Sequence, residues 1–188
     1  MKPHPASTVV LVRQAASDIE VLLLLRNRQL RFNGDHWVFP GGRIDPQDYP
    51  DAACQQEYYA ALNAAVRETQ EEAGVVIHSD NLQHIAHWTT PEGYPLRFST
   101  WFFIGLLYEP TPITVDQQEI VDYCWRTPRS ALQASDSGEL KLPVPTLQTL
   151  QSIAAYRDLR ALSAGLDHLP VHVFPAQSPD YPKDSIPR

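Results

Sequence analysis

Residues 67–75 read Arg-Glu-Thr-Gln-Glu-Glu-Ala-Gly-Val and close a long helical pattern. In a helix, Glu68 and Glu72 are i,i+4 neighbours and Glu68 and Glu71 are i,i+3, so three carboxylates share one face. They also fall in the last turns, where the helix dipole disfavours negative charge. The segment therefore predicts either a solvated acidic face or a set of oxygen ligands, in which hard divalent cations offset the repulsion.

The helix that carries these carboxylates is predicted over Ala52–Ala73 from its apolar spacing, and Gly74 stands where a helix commonly ends. Arg67 lies four residues before Glu71 on this helix, so it can hold that carboxylate in place.

The rest of the chain alternates strand-like runs with helical patterns, which favours an α/β layered domain. Thr127 followed by Pro128 is typical of a capped helix start, and one amphipathic helix is predicted over Thr146–Ser163. His84 and His87, three apart in a strand, are expected on opposite faces. The predicted strands are Ser7–Val12, Ile19–Leu25, a short strand from Trp37, Leu82–Thr89, Arg97–Leu107 and Ile120–Arg126.

Composition narrows the function classes. The net charge is −7 and the pI about 5.4, which argues against a nucleic-acid binder, since phosphate recognition without a metal needs a basic face. The apolar runs are far shorter than the ~20 residues of a membrane span, and no signal region opens the chain. Cys54 and Cys124 supply neither a disulfide framework nor a zinc site. We expect a soluble, cytoplasmic protein without a membrane partner.

Prolines become frequent near the C-terminus, and this change predicts where the domain ends. Residues 1–165 are predicted to form one domain, and residues 166–188 an extended tail on the surface or partly disordered. The prolines of this tail are Pro170, Pro175, Pro179, Pro182 and Pro187.

Residues 39–45, Phe-Pro-Gly-Gly-Arg-Ile-Asp, precede the acidic helix. A strand, this glycine loop, and a helix ending in Arg-Glu-x-x-Glu-Glu-x-Gly together resemble the Nudix hydrolase signature. Thr69 replaces an aliphatic residue, and about 11 residues are inserted before Arg67. Asp48 or Glu57 fills the slot of the first signature glutamate. The resemblance implies an α/β/α sandwich with a mixed sheet between helices.

The resemblance also implies a metal site and catalytic groups. Mg²⁺ or Mn²⁺ would be held by Glu68, Glu71 and Glu72, with the Gly41 carbonyl as a further ligand. Arg67 would orient the glutamates. We call the signature residues from the glycine loop to Gly74 the box. The general base would be a glutamate of the box or Glu119, which lies in an acidic loop before a strand.

Arginines near the glycine loop are candidates for substrate phosphates, because a guanidinium binds them in a bidentate manner. They are equally well explained as solvated strand ends of an acidic protein. The candidate substrate-binding residues are Arg26, Arg28, Arg97, Gly41 and Gly42. Arg31, which is close to Arg28 in the sequence, is considered with them.

The elongated box, with Thr90-Pro91, residues 97–103 and residues 125–128, resembles the branch that contains coenzyme A diphosphatases. The substrate implied is coenzyme A or an acyl derivative. ADP-ribose, NADH or a nucleoside triphosphate are alternatives, as is a non-catalytic nucleotide-sensing module. Relatives of this kind are often homodimers.

Overall fold

The computed structural model describes residues 2–30, 32–50 and 56–187. Eight strands form one mixed sheet, and four helices pack on it. The strands are β1 (His4–Gln14), β2 (Ile19–Arg26), β3 (Trp37–Val38), β4 (Gly41–Arg43), β5 (Leu82–Thr89), β6 (Phe98–Leu107), β7 (Ile120–Arg126) and β8 (His172–Phe174). The helices are α1 (Glu57–Ala73), α2 (Pro128–Asp136), α3 (Val144–Ile153) and α4 (Leu159–Leu166).

A gap between β1 and β2 organises the sheet. These strands pair antiparallel only near their connecting turn, through residues 12–14 and 19–21. Farther from the turn, β3 pairs with β2 and β4 pairs with β1, so residues 37–43 fill a wedge between the two strands. β7 pairs with β2 over residues that also pair with β3, and therefore lies on the other edge of β2. We call residues 37–43 the wedge segment.

Each face of the sheet supports a separate core, which confirms the α/β/α sandwich. One core joins the sheet to α1 and includes Leu22, Trp101 and Phe103. The other joins it to α2, α3 and α4 and includes Val10 and Leu150. Alternating side chains of β6 enter opposite cores, as the period of a strand requires. No helix in the described ranges is both long and apolar enough to cross a membrane.

Helix α1 ends as predicted but begins later. Gly74 adopts φ 69° beyond the last turn, and its N–H donates to the Gln70 carbonyl. Gln56 is extended and directly precedes the first helical residue, so the prediction that Gln56 is helical is wrong. Residues 52–55 of the predicted helix lie outside the described residues. Ten helical residues precede Arg67 in this helix.

The single helix predicted over Thr146–Ser163 is wrong, because the chain forms α3 and α4 instead. Asp158 is extended and its carboxylate accepts a hydrogen bond from the Ala161 N–H, so it caps a new helix. The apolar period continues across the break because Ile153 and Leu162 reach the same core. Periodicity alone therefore did not reveal the interruption. The capped start of α2 at Thr127 is confirmed.

The C-terminal segment, residues 166–187, is more ordered than expected. β8 adds to the sheet by pairing parallel with β5, and Phe174 stacks on Trp88 at 4.5 Å between ring centroids. Tyr181 then packs beside His87, with ring centroids 4.7 Å apart, on the face that α1 covers. The segment thus contributes to both faces of the sheet, and the domain limit at residue 165 stays a prediction.

The expectation that His84 and His87 face opposite sides is wrong. The register between β5 and β6 shifts between His84 and Ala86, so the intervening bulge places both imidazoles against Trp101. Burial lowers the pKa of His84 to about 4 and that of His87 to about 3. His84 Nε2–H donates to the Ala86 carbonyl at 3.0 Å, while His87 Nδ1 is buried without a partner among the described residues.

Because both pKa values are depressed, the folded protein binds fewer protons than the unfolded chain between about pH 4 and the ordinary histidine pKa of ~6.5. Stability is therefore lost as the pH falls through this range. The parent protein should lose unfolding free energy when the pH falls from 7 to 5. In His84→Gln, we expect this loss to be smaller by about 1–2 kcal/mol. Urea unfolding at both pH values measures this difference.

The matched control is His168→Asn, since His168 is exposed at the end of α4. It should keep the pH dependence of the parent protein. An unchanged pH dependence in His84→Gln would contradict the assignment.

Candidate active site

The two glycines of the wedge segment allow the carboxylates of α1 to lie directly against the backbone. The Gly41 N–H donates to Glu72 Oε2 at 2.9 Å. A Cβ at Gly42 would lie 2.3 Å from Glu68 Oε1, and one at Gly41 would lie 2.3 Å from the Ser7 carbonyl oxygen. A side chain at Gly42 would displace the Glu68 carboxylate, and one at Gly41 would clash with the backbone of β1 at Ser7 and Thr8. The Gly-Gly pair is therefore a steric requirement for this contact.

Arg67 fixes the orientation of the neighbouring acidic groups. Its Nη1 donates to Glu68 Oε1 at 2.8 Å and to Glu71 Oε2 at 3.1 Å. Its Nη2 donates to the Arg43 carbonyl at 3.0 Å, which ties α1 to β4. The predicted contact between Arg67 and Glu71 is present.

Asp48, rather than Glu57, adjoins Arg67. Asp48 is 4% exposed and accepts from Arg67 Nε at 3.0 Å and Nη2 at 2.9 Å. This hydrogen bonding raises the pKa of Arg67. Glu57 instead accepts from Trp101 Nε1 at 2.9 Å, at the opposite end of α1. Of the two candidates, Asp48 is the one that contacts Arg67, and its place in the signature stays a prediction.

The carboxylates of α1 face a second acidic segment across a small cavity. The loop before β7 places Asp116 and Glu119 opposite the helix, and the enclosed volume is about 110 Å³. Asp116 accepts hydrogen bonds from the Glu119 and Ile120 N–H groups, so it fixes the turn that carries Glu119. The Asn27 N–H donates to the Glu119 carbonyl and joins this turn to the end of β2. The cavity is lined by Glu68, Glu71, Glu72, Asp116 and Glu119.

Burial and like charge set the electrostatics of this acidic cavity. Burial raises the pKa of Glu72 to about 8, although the Gly41 N–H opposes the shift. Burial also raises the pKa of Glu68, against the effect of Arg67. Arg26 supplies some opposite charge, with Nη1 3.8 Å from Glu72 and Nη2 3.7 Å from Glu119. Its buried Nε–H makes no hydrogen bond to the described residues.

The donor set of the cavity fits a hard divalent cation, because every lining side chain offers carboxylate oxygens. Within residues 2–30, 32–50 and 56–187, however, no three His, Cys, Asp or Glu groups already stand in a metal-holding arrangement. Glu68 is held by Arg67, and Glu72 by the Gly41 amide. The orientation of both carboxylates is therefore set by hydrogen bonds within the protein.

The predicted substrate arginines are dispersed. Arg26 adjoins the cavity, whereas Arg28 is exposed beyond the end of β2, and Arg31 lies outside the described residues. Arg97 is 7% exposed and donates to the Thr90 carbonyl and to Asp180, so it holds the C-terminal segment rather than facing the carboxylates. Phosphate binding by Arg97 stays a prediction.

Two features of the site were not predicted from the sequence. Asp116 lines the cavity and caps the turn that carries Glu119. The short Asp-x-x-Glu spacing before a strand is a capping pattern that could have indicated this role. The pairing of Arg26 with both acidic segments had no sequence signal, because it depends on where β2 ends relative to α1 and β7.

The fold and the cavity define an α/β/α domain with an acidic helix docked against a Gly-Gly wedge. The family model described as NUDIX domain matches residues 2–145. The chain therefore belongs to the Nudix family.

Solved structures agree with this fold. A NUDIX hydrolase from Alicyclobacillus acidocaldarius is similar with TM-score 0.76 and 24% identity, covering 90% of this chain and 97% of that one. The NUDIX domain of Shewanella oneidensis NrtR, crystallised with ADP ribose, gives TM-score 0.57 and 17% identity, covering 80% and 86%.

Among curated relatives, human acyl-coenzyme A diphosphatase NUDT19 is 35% identical over 83 residues, covering 43% of this chain and 22% of that protein. This chain spans between 22% and 62% of the length of the curated relatives it matches.

The pairing of Asp48 with Arg67 predicts a strong dependence of stability on one buried charge. Asp48→Asn removes the carboxylate that faces two guanidinium donors and leaves Arg67 partly uncompensated. We expect a loss of about 3 kcal/mol in unfolding free energy, as for a broken buried ion pair. Urea unfolding at pH 7 measures it.

Asp45→Asn is the matched control, since the Asp45 side chain is 51% exposed and lies 3.9 Å from Arg67. It should cost less than about 1 kcal/mol. Equal losses in the two variants would show that the Asp48 contact does not support the site.

Proposed function

We propose that this protein is a metal-dependent hydrolase that cleaves the diphosphate bond of a nucleoside diphosphate derivative. The observation that carries the proposal is the cavity of about 110 Å³ between α1 and the loop before β7, where each lining residue in the described part of the chain carries a carboxylate. Membership of the Nudix family supports the same reaction class. Small-molecule nucleotides are the substrate class that this family membership favours.

Mg²⁺ or Mn²⁺ would be held by Glu68, Glu71 and Glu72, with the Gly41 carbonyl as a further oxygen ligand. Such a cation neutralises charge on the phosphoryl oxygens as it develops. Arg67 keeps Glu68 and Glu71 aligned through its hydrogen bonds. Gly42 leaves the space that the Glu68 carboxylate occupies against the wedge segment.

Glu119 is the proposed general base. The three box glutamates project from one helix, so they surround a cation from one side only. Glu119 lies across the cavity, and its side chain is 61% exposed, so water can reach it. A carboxylate in this position can accept a proton from the attacking water. Asp116 positions Glu119 by accepting two backbone N–H groups.

Arg26 is proposed to bind substrate phosphate. Its contacts with Glu72 and Glu119 are 3.8 and 3.7 Å, longer than strong charge-assisted hydrogen bonds, so its donors can turn toward a phosphoryl oxygen. Arg28, exposed in the adjoining loop, is the second candidate for an outer phosphate group.

Coenzyme A or acyl-coenzyme A is the proposed substrate, supported by the similarity of part of the chain to human acyl-coenzyme A diphosphatase NUDT19. ADP-ribose is the second candidate, because a structural neighbour was crystallised with ADP ribose. A nucleotide-sensing module without catalysis is less well supported, because it does not need the mutually repelling carboxylates of the cavity. Cytoplasmic location and a homodimer remain predictions.

The substrate is tested by incubating the purified protein with Mg²⁺ and coenzyme A, dephospho-coenzyme A, ADP-ribose or NADH, and identifying products by mass. Coenzyme A should yield phosphopantetheine and adenosine 3′,5′-bisphosphate. If Arg26 or Arg28 binds the 3′-phosphate, dephospho-coenzyme A should have a kcat/KM about ten- to a hundredfold lower. Preference for ADP-ribose would contradict the coenzyme A assignment, and no cleavage at all would contradict the hydrolase.

The role of Glu119 predicts a defect in the chemical step. Glu119→Gln should keep the shape of the loop and lower the single-turnover rate with Mg²⁺ about a hundredfold or more, since the proton acceptor is lost. Asp116→Asn retains one backbone contact and should lower the rate less. Glu109→Gln, a change at an exposed glutamate outside the cavity, is the matched control. A normal rate in Glu119→Gln would contradict the role of Glu119 and assign the general base to a glutamate of the box.

A further inference from the structure

We infer that Phe32, Phe98 and Arg43 form the site that binds the nucleobase of the substrate. This inference deepens the proposed function and rests on it. The three side chains come from the loop 27–36, the start of β6 and the end of β4. We call them the aromatic corner.

The geometry of the aromatic corner suits a planar ligand. The Phe32 and Phe98 rings lie 4.9 Å apart between centroids and are inclined by 56°, so they do not stack face to face on each other. The Arg43 guanidinium carbon lies 5.7 Å from the Phe98 ring centroid. Phe32 is 38% exposed, so a ligand can reach its ring.

Two segments connect the aromatic corner to the acidic cavity. Along β4, Arg43 is two residues from Gly41, which contacts Glu72, and two residues of a strand span roughly 7 Å. The Arg43 carbonyl also accepts from Arg67. The loop that carries Phe32 begins at Arg26, which pairs with the carboxylates. The aromatic corner is therefore built on the same segments of chain that contact the carboxylates.

A nucleobase is the part of the proposed substrates that matches this chemistry. Every base has a π-face, and stacking on an aromatic side chain contributes about 1–3 kcal/mol by alanine substitution. The exposed guanidinium of Arg43 adds a cation that can stack on the base or donate to its acceptor atoms. A flexible aliphatic arm such as pantetheine has no planar surface for the inclined rings.

The simplest alternative is that Phe32 packs on Phe98 only to anchor its loop. The two roles differ in what they recognise. A loop anchor would affect every phosphate ligand equally, whereas a stacking surface affects only ligands that contain a base.

The test compares two probes by calorimetric titration without hydrolysis: adenosine 5′-monophosphate and ribose 5-phosphate. The parent protein should bind the adenosine monophosphate more tightly. Phe32→Ala should weaken that binding about tenfold or more and leave ribose 5-phosphate unchanged, while Phe32→Tyr should restore it. Tyr108→Ala, at an exposed aromatic residue beyond the other end of β6, is the matched control and should have no effect.

Equal affinity of the parent protein for both probes, or equal weakening of both by Phe32→Ala, would overturn the inference. Hydrolysis of diphosphates together with either result would leave the proposed function standing. Base-dependent binding through Phe32 without any hydrolysis would support the aromatic corner and contradict the hydrolase.

Discussion

Arg67 makes five hydrogen bonds that join three separate parts of the chain. Two go to Asp48, one each to Glu68 and Glu71, and one to the Arg43 carbonyl. A single guanidinium thus offsets part of the repulsion among the acidic groups and also ties α1 to the wedge segment. The position of the carboxylates, and hence the cavity that they line, depends on this network.

The wedge between β1 and β2 explains why glycine is required beside this network. β4 must pair with β1 on one side and accept two carboxylates on the other, and Gly41 and Gly42 leave room for both. Glu119 reaches the same place by a different path, since β7 pairs with β2 on its outer edge. Charge, steric space and strand order therefore converge on one cavity.

Much of this arrangement could be predicted from spacing. The i,i+4 relation gave the Arg67–Glu71 contact, and the loop before β7 was expected to supply Glu119. Other features were beyond reach because they depend on tertiary structure. A bulge turned His84 to the same face as His87, and the partners of Arg97 lie in a segment predicted only as a tail. Local patterns carry no information on such register shifts or distant contacts.

The central claim is that the carboxylates around the wedge bind a divalent cation. Thermal unfolding with and without Mg²⁺ tests it directly, because a cation that binds only the folded protein raises the midpoint. The account predicts a rise in Tm that grows with Mg²⁺ concentration in the parent protein and is largely lost in Glu68→Gln. The same Tm with and without Mg²⁺, or an equal rise in both proteins, would contradict it.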